Sequence, residues 1–186
     1  MENQDDLYLV REIQKGDEKA FDQLYERYIL RIFHFVQIQV KDYQLAEEIT
    51  QDVFVKMAKG LPGFRGESSF QTWLYTLARN TLTDAIRSQN RRRGREVQIP
   101  DEVIATVPDG GHGVEEQVTA RLEYQSILRI VNALPEDYRT VILLRMFESL
   151  SLQETAEVMN RTVASVKTLQ FRATGMLRQM MEGVAQ

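Results

Sequence analysis

Two adjacent helices are most clearly visible in SLQETAEVMNRTVASVKTLQFRATGML, which is residues 151–177. Ser151 and Glu154 have the spacing of a capping box, in which each side chain caps a backbone N–H at the start of a helix. Small and apolar residues follow at helical spacing, and a polar turn at residues 160–162 ends this first helix. Thr162 is placed to cap a second helix, whose apolar residues recur every three or four positions. The pattern predicts two helices joined by a tight turn.

The second helix carries a polar face opposite its apolar stripe. Basic side chains can reach guanine edges or phosphates, and threonine can contact a thymine methyl group or a phosphate. A short helix, a tight turn and a basic second helix form the arrangement that enters a DNA major groove. The sequence therefore predicts a DNA-binding helix-turn-helix, and two packed helices with a solvated basic face are the alternative. The residues predicted to face DNA are Ser165, Lys167, Thr168, Phe171 and Arg172.

The remainder of the chain is also predicted to be helical. Helical periodicity fills residues 5–15, 17–35, 43–59 and 68–86, and glycines or Pro62 separate these segments. The pattern is lost where prolines, glycines and acidic residues cluster, and it returns near residue 114. We therefore predict an all-α fold of two helical domains joined by a flexible linker. The boundaries are 1–95 for the first domain, 96–113 for the linker and 114–186 for the second domain.

The charge is distributed unevenly along the chain. The formal net charge of −4 argues against a protein that holds DNA by its overall charge, because phosphate binding draws on lysine and arginine. Arginine-rich patches at residues 79–95 and 161–178 are nevertheless separated by an acidic segment. The net charge therefore conceals two basic surfaces.

Composition excludes several other classes of protein. The chain has no cysteine and only two, isolated histidines, so we expect no disulfide, metal or other cofactor. No apolar run approaches the roughly 18 residues of a membrane span, and the N-terminus is polar rather than a signal peptide. We therefore expect a cytoplasmic protein that does not insert directly into a membrane.

Further segments of the sequence resemble bacterial extracytoplasmic-function sigma factors. Residues 67–80, ESSFQTWLYTLARN, followed by Asp84 and Arg87, resemble region two of that family. Residues 16–21 and 46–54 resemble earlier parts of the same region, and residues 134–139 and 150–154 resemble region four. The motifs occur in order and cover nearly the whole chain except the linker. This combination is more specific to the family than any one motif alone.

The resemblance implies a function and two DNA contacts. A sigma factor binds core RNA polymerase, directs it to promoters and helps to open the DNA; region four would read the minus-thirty-five element and region two the minus-ten element. The resemblance places Asn80 at the start of a loop that, in the family, captures a flipped base. The amide of asparagine offers donors and an acceptor to a base edge. The alternatives are a helix cap or break at Asn80 and a solvated helix end for the arginines. The implied downstream-element residues are Asn80, Asp84, Arg87, Arg91 and Arg92.

The resemblance also implies a polymerase-binding surface. In the family this surface meets a coiled coil of the largest polymerase subunit, and an ordinary solvated acidic face is the alternative. The implied residues are Glu48, Gln51, Asp52 and Val55.

Trp73 and Phe64 are predicted to belong to the core rather than to stack on bases. Leu169, Gln170 and Thr174 depart from the residues that are frequent at these positions in the family.

The expected partners are core RNA polymerase, promoter DNA and an anti-sigma factor, which in this family is often anchored in the membrane and would then hold the protein there. A conventional helix-turn-helix regulator that binds an operator is the alternative, but it leaves the motifs of the first half unexplained. An enzyme is not expected, because adjacent carboxylates such as Glu47 and Glu48 point about 100° apart on a helix. No nucleophile–base pair, phosphate-binding glycine loop or metal spacing is present either.

Overall fold

The computed structural model describes residues 2–93 and 130–184, and the regular structure within these residues is helical. The predicted all-α class is therefore confirmed. The predicted linker and most of the helix predicted from residue 114 lie outside the described residues. The helices are α1 Glu2–Gln14, α2 Glu18–Val40, α3 Tyr43–Gly60, α4 Phe70–Arg93, α5 Glu136–Ile142, α6 Leu152–Met159 and α7 Val163–Val184. A 3-10 turn, Leu61–Gly63, follows α3, and a π-helical turn, Leu143–Phe147, extends α5.

Local capping explains where several helices begin and end. The Asp17 carboxylate accepts hydrogen bonds from the backbone N–H groups of Lys19 and Ala20 at the start of α2. Ser69 Oγ accepts from the Thr72 N–H in the same way at the start of α4. Each side chain satisfies backbone donors that the first turn of a helix leaves without partners. Helix α2 ends where Lys41 takes a left-handed conformation, with φ of 59°.

The first four helices form one bundle. Helix α2 is its centre, since it packs against α1, α3 and α4 and buries side chains such as Leu24, Ile32 and Val36. Helix α1 is attached by the buried carboxylate of Asp6, which accepts hydrogen bonds from Arg27 and from the Tyr28 hydroxyl. Burying apolar surface supplies most of the stability of such a bundle.

Helices α5 to α7 form the second bundle, which contains the predicted helix-turn-helix. Both hydrogen bonds of the Ser151–Glu154 capping box are present at the start of α6. Asn160 ends α6 in a left-handed conformation, with φ of 50°, which asparagine tolerates better than most residues. Thr162 Oγ1 then accepts from the Ser165 N–H at the start of α7. The predicted helix boundaries and caps are therefore confirmed in this segment.

The two bundles also contact each other. Helix α4 packs against α6, and buried apolar residues form one continuous cluster through both halves. Arg139 donates from Nη1 to the carbonyl of Ile38 at 3.2 Å, and Gln39 Nε2 donates to Thr140 Oγ1 at 2.9 Å. The sequence predicted two tethered domains and did not predict this contact.

Candidate nucleic-acid interface

Helix α7 presents four of the five residues predicted to face the upstream DNA element. Lys167, Thr168, Phe171 and Arg172 lie on its outer side, and Phe171 is 79% exposed. Val166 and Ala173 are fully buried on the opposite face, as the predicted apolar stripe requires. Ser165 is half-buried instead, at the edge of the face. The arrangement offers two cations, a hydroxyl and a large aromatic ring to a groove.

The three residues that depart from the family pattern lie away from this face or bond within the protein. Leu169 is half-buried and packs against the core. Gln170 Oε1 accepts a hydrogen bond from Arg145 Nε at 3.2 Å. The Thr174 hydroxyl donates to the Gln170 carbonyl at 2.9 Å. The exposed face of α7 is therefore centred on Lys167, Thr168, Phe171 and Arg172.

Arg145 is a residue that sequence reasoning missed. Besides binding Gln170 on α7, its Nη1 donates to the carbonyl of Leu150, just before the capping serine of α6. One guanidinium thus connects the start of the helix-turn-helix to its second helix. The π-helical turn that holds Arg145 inserts an extra residue per turn, and a 3.6-residue pattern does not reveal such a turn.

Helix α4 carries the residues predicted to contact the downstream element. Asn80, Asp84, Arg87 and Arg91 are exposed and follow one another at four-, three- and four-residue spacing. That spacing places them on one face of the helix. The side chain of Arg92 lies outside those described.

Asn80 is not at the start of a loop, so that part of the prediction is wrong. It lies within α4, which continues without a break from Phe70 to Arg93. The helix continues because its buried positions, Ala78 and Leu82, keep helical spacing on both sides of Asn80. An asparagine destabilises a helix by less than about 0.7 kcal/mol relative to alanine. Burial of apolar side chains such as Leu82 stabilises the helix by more than this.

A polar cleft lies between α4 and the turn of the helix-turn-helix. Its volume is about 590 Å³. Arg161, at that turn, is held by an ion pair with Asp137, with Nη2 2.5 Å from Oδ2. The residues that line the cleft are Arg79, Asn80, Thr83, Asp84 and Arg87 from α4, Met159 from the end of α6, and Asn160 and Arg161 from the turn. The predicted downstream-element face therefore opens towards the second domain.

Helix α3 exposes the predicted polymerase-binding residues. Glu48, Gln51, Asp52 and Val55 follow one another within two turns and are all exposed. Val55 is 50% exposed although it is apolar, whereas Val53 is fully buried on the other side of the helix. A single exposed apolar side chain is common on protein surfaces, so Val55 alone does not distinguish this face.

Trp73 belongs to an aromatic cluster in the first bundle. Its ring lies 5.2 Å from that of Phe64 and 5.7 Å from that of Phe70, measured between centroids. Trp73 and Phe64 are half-buried and pack against the core, as predicted. They stabilise the segment that precedes α4 through tilted ring contacts.

Two further observations concern the described part of the chain. It contains no cluster of three or more histidine and acidic side chains that could hold a metal ion. None of its helices combines the length and the apolar character needed to cross a lipid bilayer.

Family models match both halves of the chain. The model described as Sigma-70 region 2 matches residues 24–92, and the model described as Sigma-70, region 4 matches residues 124–176. The downstream face on α4 lies in the first match, and the helix-turn-helix lies in the second. The two matches together cover more than half of the sequence.

Similar proteins and structures lead to the same family. The chain is 35% identical to the RNA polymerase sigma-H factor of Pseudomonas aeruginosa over 179 residues, which is 90% of this chain and 89% of that protein. It is 34% identical to the ECF RNA polymerase sigma-E factor of Escherichia coli strain K12 over 175 residues, or 90% of each chain.

Two solved structures share the fold at 21% identity. One is CnrH in complex with the cytosolic domain of CnrY, with a TM-score of 0.69 over 96% of this chain and 98% of that one. The other is the sigma factor RpoE with the anti-sigma factor NepR from Bartonella quintana, with a TM-score of 0.73 over 88% and 98%. The chain therefore belongs to the sigma-70 family, in its extracytoplasmic-function class, and is a sigma factor of RNA polymerase.

Proposed function

We propose that this sigma factor directs core RNA polymerase to promoters by reading two DNA elements with two different helices. Helix α7 would read the minus-thirty-five element through Lys167, Thr168, Phe171 and Arg172, with Ser165 at the edge. The observation that carries the proposal is that both halves expose a DNA-competent helix face, and each face lies within a matched region of the family. The domains would be 1–95, 96–113 as the linker, and 114–186.

The second contact would be made by α4 on the minus-ten element. Asn80 offers an amide to a base edge, and Arg87, Arg91 and Arg92 would follow the phosphates. Asp84 shares the face and would favour bases that present a donor, such as the amino group of cytosine. Because Asn80 lies within a helix, a base captured there would be held against the side of α4.

Helix α3 would bind core polymerase. Glu48, Gln51 and Asp52 supply a polar acidic surface around the exposed side chain of Val55. Acidic residues on this surface would steer a basic partner and fix its orientation more than they would add to affinity. We propose that the protein is not itself an enzyme and that it acts in the cytoplasm. An anti-sigma factor, where present, would hold it there or at the membrane.

Polymerase titration tests the α3 surface. We expect Asp52→Arg to weaken binding to core polymerase by about tenfold or more, because it places a cation on the acidic surface. Glu26→Arg, an exposed position on α2, is the charge-matched control and should bind normally. Equal affinity of Asp52→Arg and the wild type would remove α3 from the polymerase interface.

A gel shift separates this function from that of a conventional operator-binding regulator. The probe is a promoter fragment that the protein and core polymerase together transcribe. We expect a stable complex at physiological salt only when core polymerase is added, because the net charge of −4 gives the isolated protein little affinity for phosphates. A stable specific complex with the protein alone would favour the operator-binding alternative.

A further inference from the structure

Two hydrogen bonds of Arg145 connect the start of α6 to α7. Arg145 lies on the π-helical turn Leu143–Phe147 and is half-buried. Its Nη1 donates to the carbonyl of Leu150, a buried residue directly before the capping serine of α6. Its Nε donates to Gln170 Oε1 on α7 at 3.2 Å. A guanidinium holds its donors in one plane, so the bond to Leu150 also fixes the direction from which Gln170 is held.

Gln170 lies beside the buried stripe of α7 and outside the face that would meet DNA. At about 100° per residue, Gln170 is displaced about 40° to one side of the fully buried Val166. Leu169, which packs against the core, is displaced about 60° to the other side. Phe171, an exposed residue of the DNA face, is about 140° from Val166. One flank of the stripe is therefore held by apolar packing, and the other by the hydrogen bond to Arg145.

The buried stripe alone resists rotation of α7 only weakly. The fully buried side chains of the described part of α7 are those of Val166 and Ala173, and both are small. A small side chain makes fewer van der Waals contacts with neighbouring helices than a large one. A hydrogen bond, in contrast, weakens steeply when its angle departs from linear. The bond between Arg145 and Gln170 therefore adds an angular restraint that the packing of α7 does not supply.

A small rotation of α7 is enough to change how bases are read. The side chains of a helix end about 5–6 Å from its axis, so a rotation of about 10° moves them by about 1 Å. A hydrogen bond to a base edge is lost when its donor–acceptor distance grows by that amount. Contacts with phosphates carry no sequence information directly, and a cation near a phosphate keeps most of its attraction over such a shift. Rotation therefore changes the preference for particular bases more than the overall affinity for DNA.

We propose that Arg145 and Gln170 are positioning residues that set the rotation of α7 in the major groove, and thereby the base preference at the upstream element. Neither side chain touches DNA in this role. Each acts through α7 on the directions in which Lys167, Phe171 and Arg172 point. The inference rests on the proposed function for the identity of the DNA face, and it assigns a role to two residues outside that face.

Discrimination between promoter sequences tests this role. Competition binding compares the affinity of the complex with core polymerase for a transcribed promoter and for copies with single-base changes in the upstream element. We expect Gln170→Leu, which removes the acceptor at similar size, to lower this discrimination at one or more positions by about fivefold or more, which is the least that one bidentate base contact supplies. Gln170→Glu keeps an acceptor for Arg145 and should retain the preference of the wild type. Gln23→Leu, at an exposed position on α2, is the matched control and should leave discrimination unchanged.

Two further measurements separate positioning from a general loss of structure. Gln170→Leu should keep its affinity for DNA that lacks the element, because its cations are unchanged. Arg145→Met should lower discrimination at the same positions as Gln170→Leu, because both substitutions remove the same hydrogen bond. Unchanged discrimination in Gln170→Leu, losses at different positions in the two variants, or an equal loss of affinity for all DNA would overturn the positioning role. Absence of discrimination by the wild type would instead contradict the proposed function.

Discussion

Arg31 and Glu148 are 117 positions apart in the chain, yet the guanidinium Nε of one lies 2.9 Å from the carboxylate of the other. The pair joins α2 of the first domain to the π-helical turn that precedes the helix-turn-helix. Both side chains are partly or largely removed from water, so the pair is held more strongly than an exposed one. It therefore contributes to the contact between the two bundles.

Replacing Arg172 with alanine tests the upstream contact. Arg172 is exposed on the face of α7 opposite the buried Val166 and Ala173. If it contacts a base, Arg172→Ala should weaken binding of the upstream element by the complex with polymerase by about 1–3 kcal/mol. Competition binding with promoter fragments measures the loss, and Arg11→Ala on α1 is the control for loss of one exposed arginine. Unchanged affinity would remove Arg172 from the interface.

Replacing Asn80 with alanine tests the downstream contact. The substitution removes an exposed amide without disturbing the buried face of α4, and alanine is the better helix former. We expect the complex with polymerase to bind promoters normally but to open them less, because a flipped base loses its partner. Permanganate reactivity of unpaired thymines reports opening. A reactivity pattern identical to that of the wild type would contradict the assignment.

The carboxylate of Glu154 makes stability depend on pH. Burial favours the neutral acid, but hydrogen bonds from Ser151, Ser69 and Thr72 outweigh it and hold the pKa of Glu154 below its ordinary value of 4.5. A group with a lowered pKa stabilises the folded state above its unfolded pKa, and this stabilisation is lost as the pH falls through the folded pKa. We expect Glu154→Gln to remove that part of the pH dependence.

Urea unfolding of wild type and Glu154→Gln at pH 7 and at several values below the ordinary pKa of 4.5 measures this effect. The difference in stability between the two proteins should be largest at pH 7 and should shrink as the pH falls. A difference that stays constant over this range would show that ionised Glu154 contributes nothing to stability.

Replacing Gly60 with alanine tests the packing against Trp73 on α4. A Cβ atom at this position would lie 2.9 Å from Trp73 Cζ2, whereas a Cβ atom at Gly63 would meet nothing within 4 Å. Gly60→Ala should therefore cost about 1 kcal/mol through overpacking, after the better helix propensity of alanine is included. Trp73 is the only tryptophan, so its fluorescence should change as well. Gly63→Ala is the control, and equal effects of the two substitutions would contradict the packing described.

Helix starts were predictable because their signals are local. Asp17, Ser69 and Ser151 each cap a backbone N–H within three residues, so the sequence contains the whole interaction. The exposed faces of α3, α4 and α7 follow from helical spacing in the same way. The family resemblance is the source of the roles proposed for individual residues, which spacing alone left open.

Other features depend on residues that are far apart in the chain. Gln71 binds the Glu148 carbonyl across 77 positions, and no spacing rule pairs an isolated glutamine with a distant carbonyl. The resemblance implied a loop at Asn80, whereas the helical periodicity of residues 68–86 predicted the helix that runs through it. Arg145 is positioned by a π-helical turn, and such a turn has no apolar repeat that the sequence would reveal. The Gln71 contact depends on tertiary packing and the Arg145 contacts on irregular backbone, and neither follows from local spacing.

Reconstituted transcription tests the central claim most directly. Core RNA polymerase is incubated with genomic fragments from the source organism, with and without this protein, and the transcripts are mapped to their start sites. We predict discrete new transcripts that depend on the protein and begin downstream of a shared pair of elements, and Arg172→Ala should reduce them. No transcript above the level of core polymerase alone, from any fragment, would contradict the account.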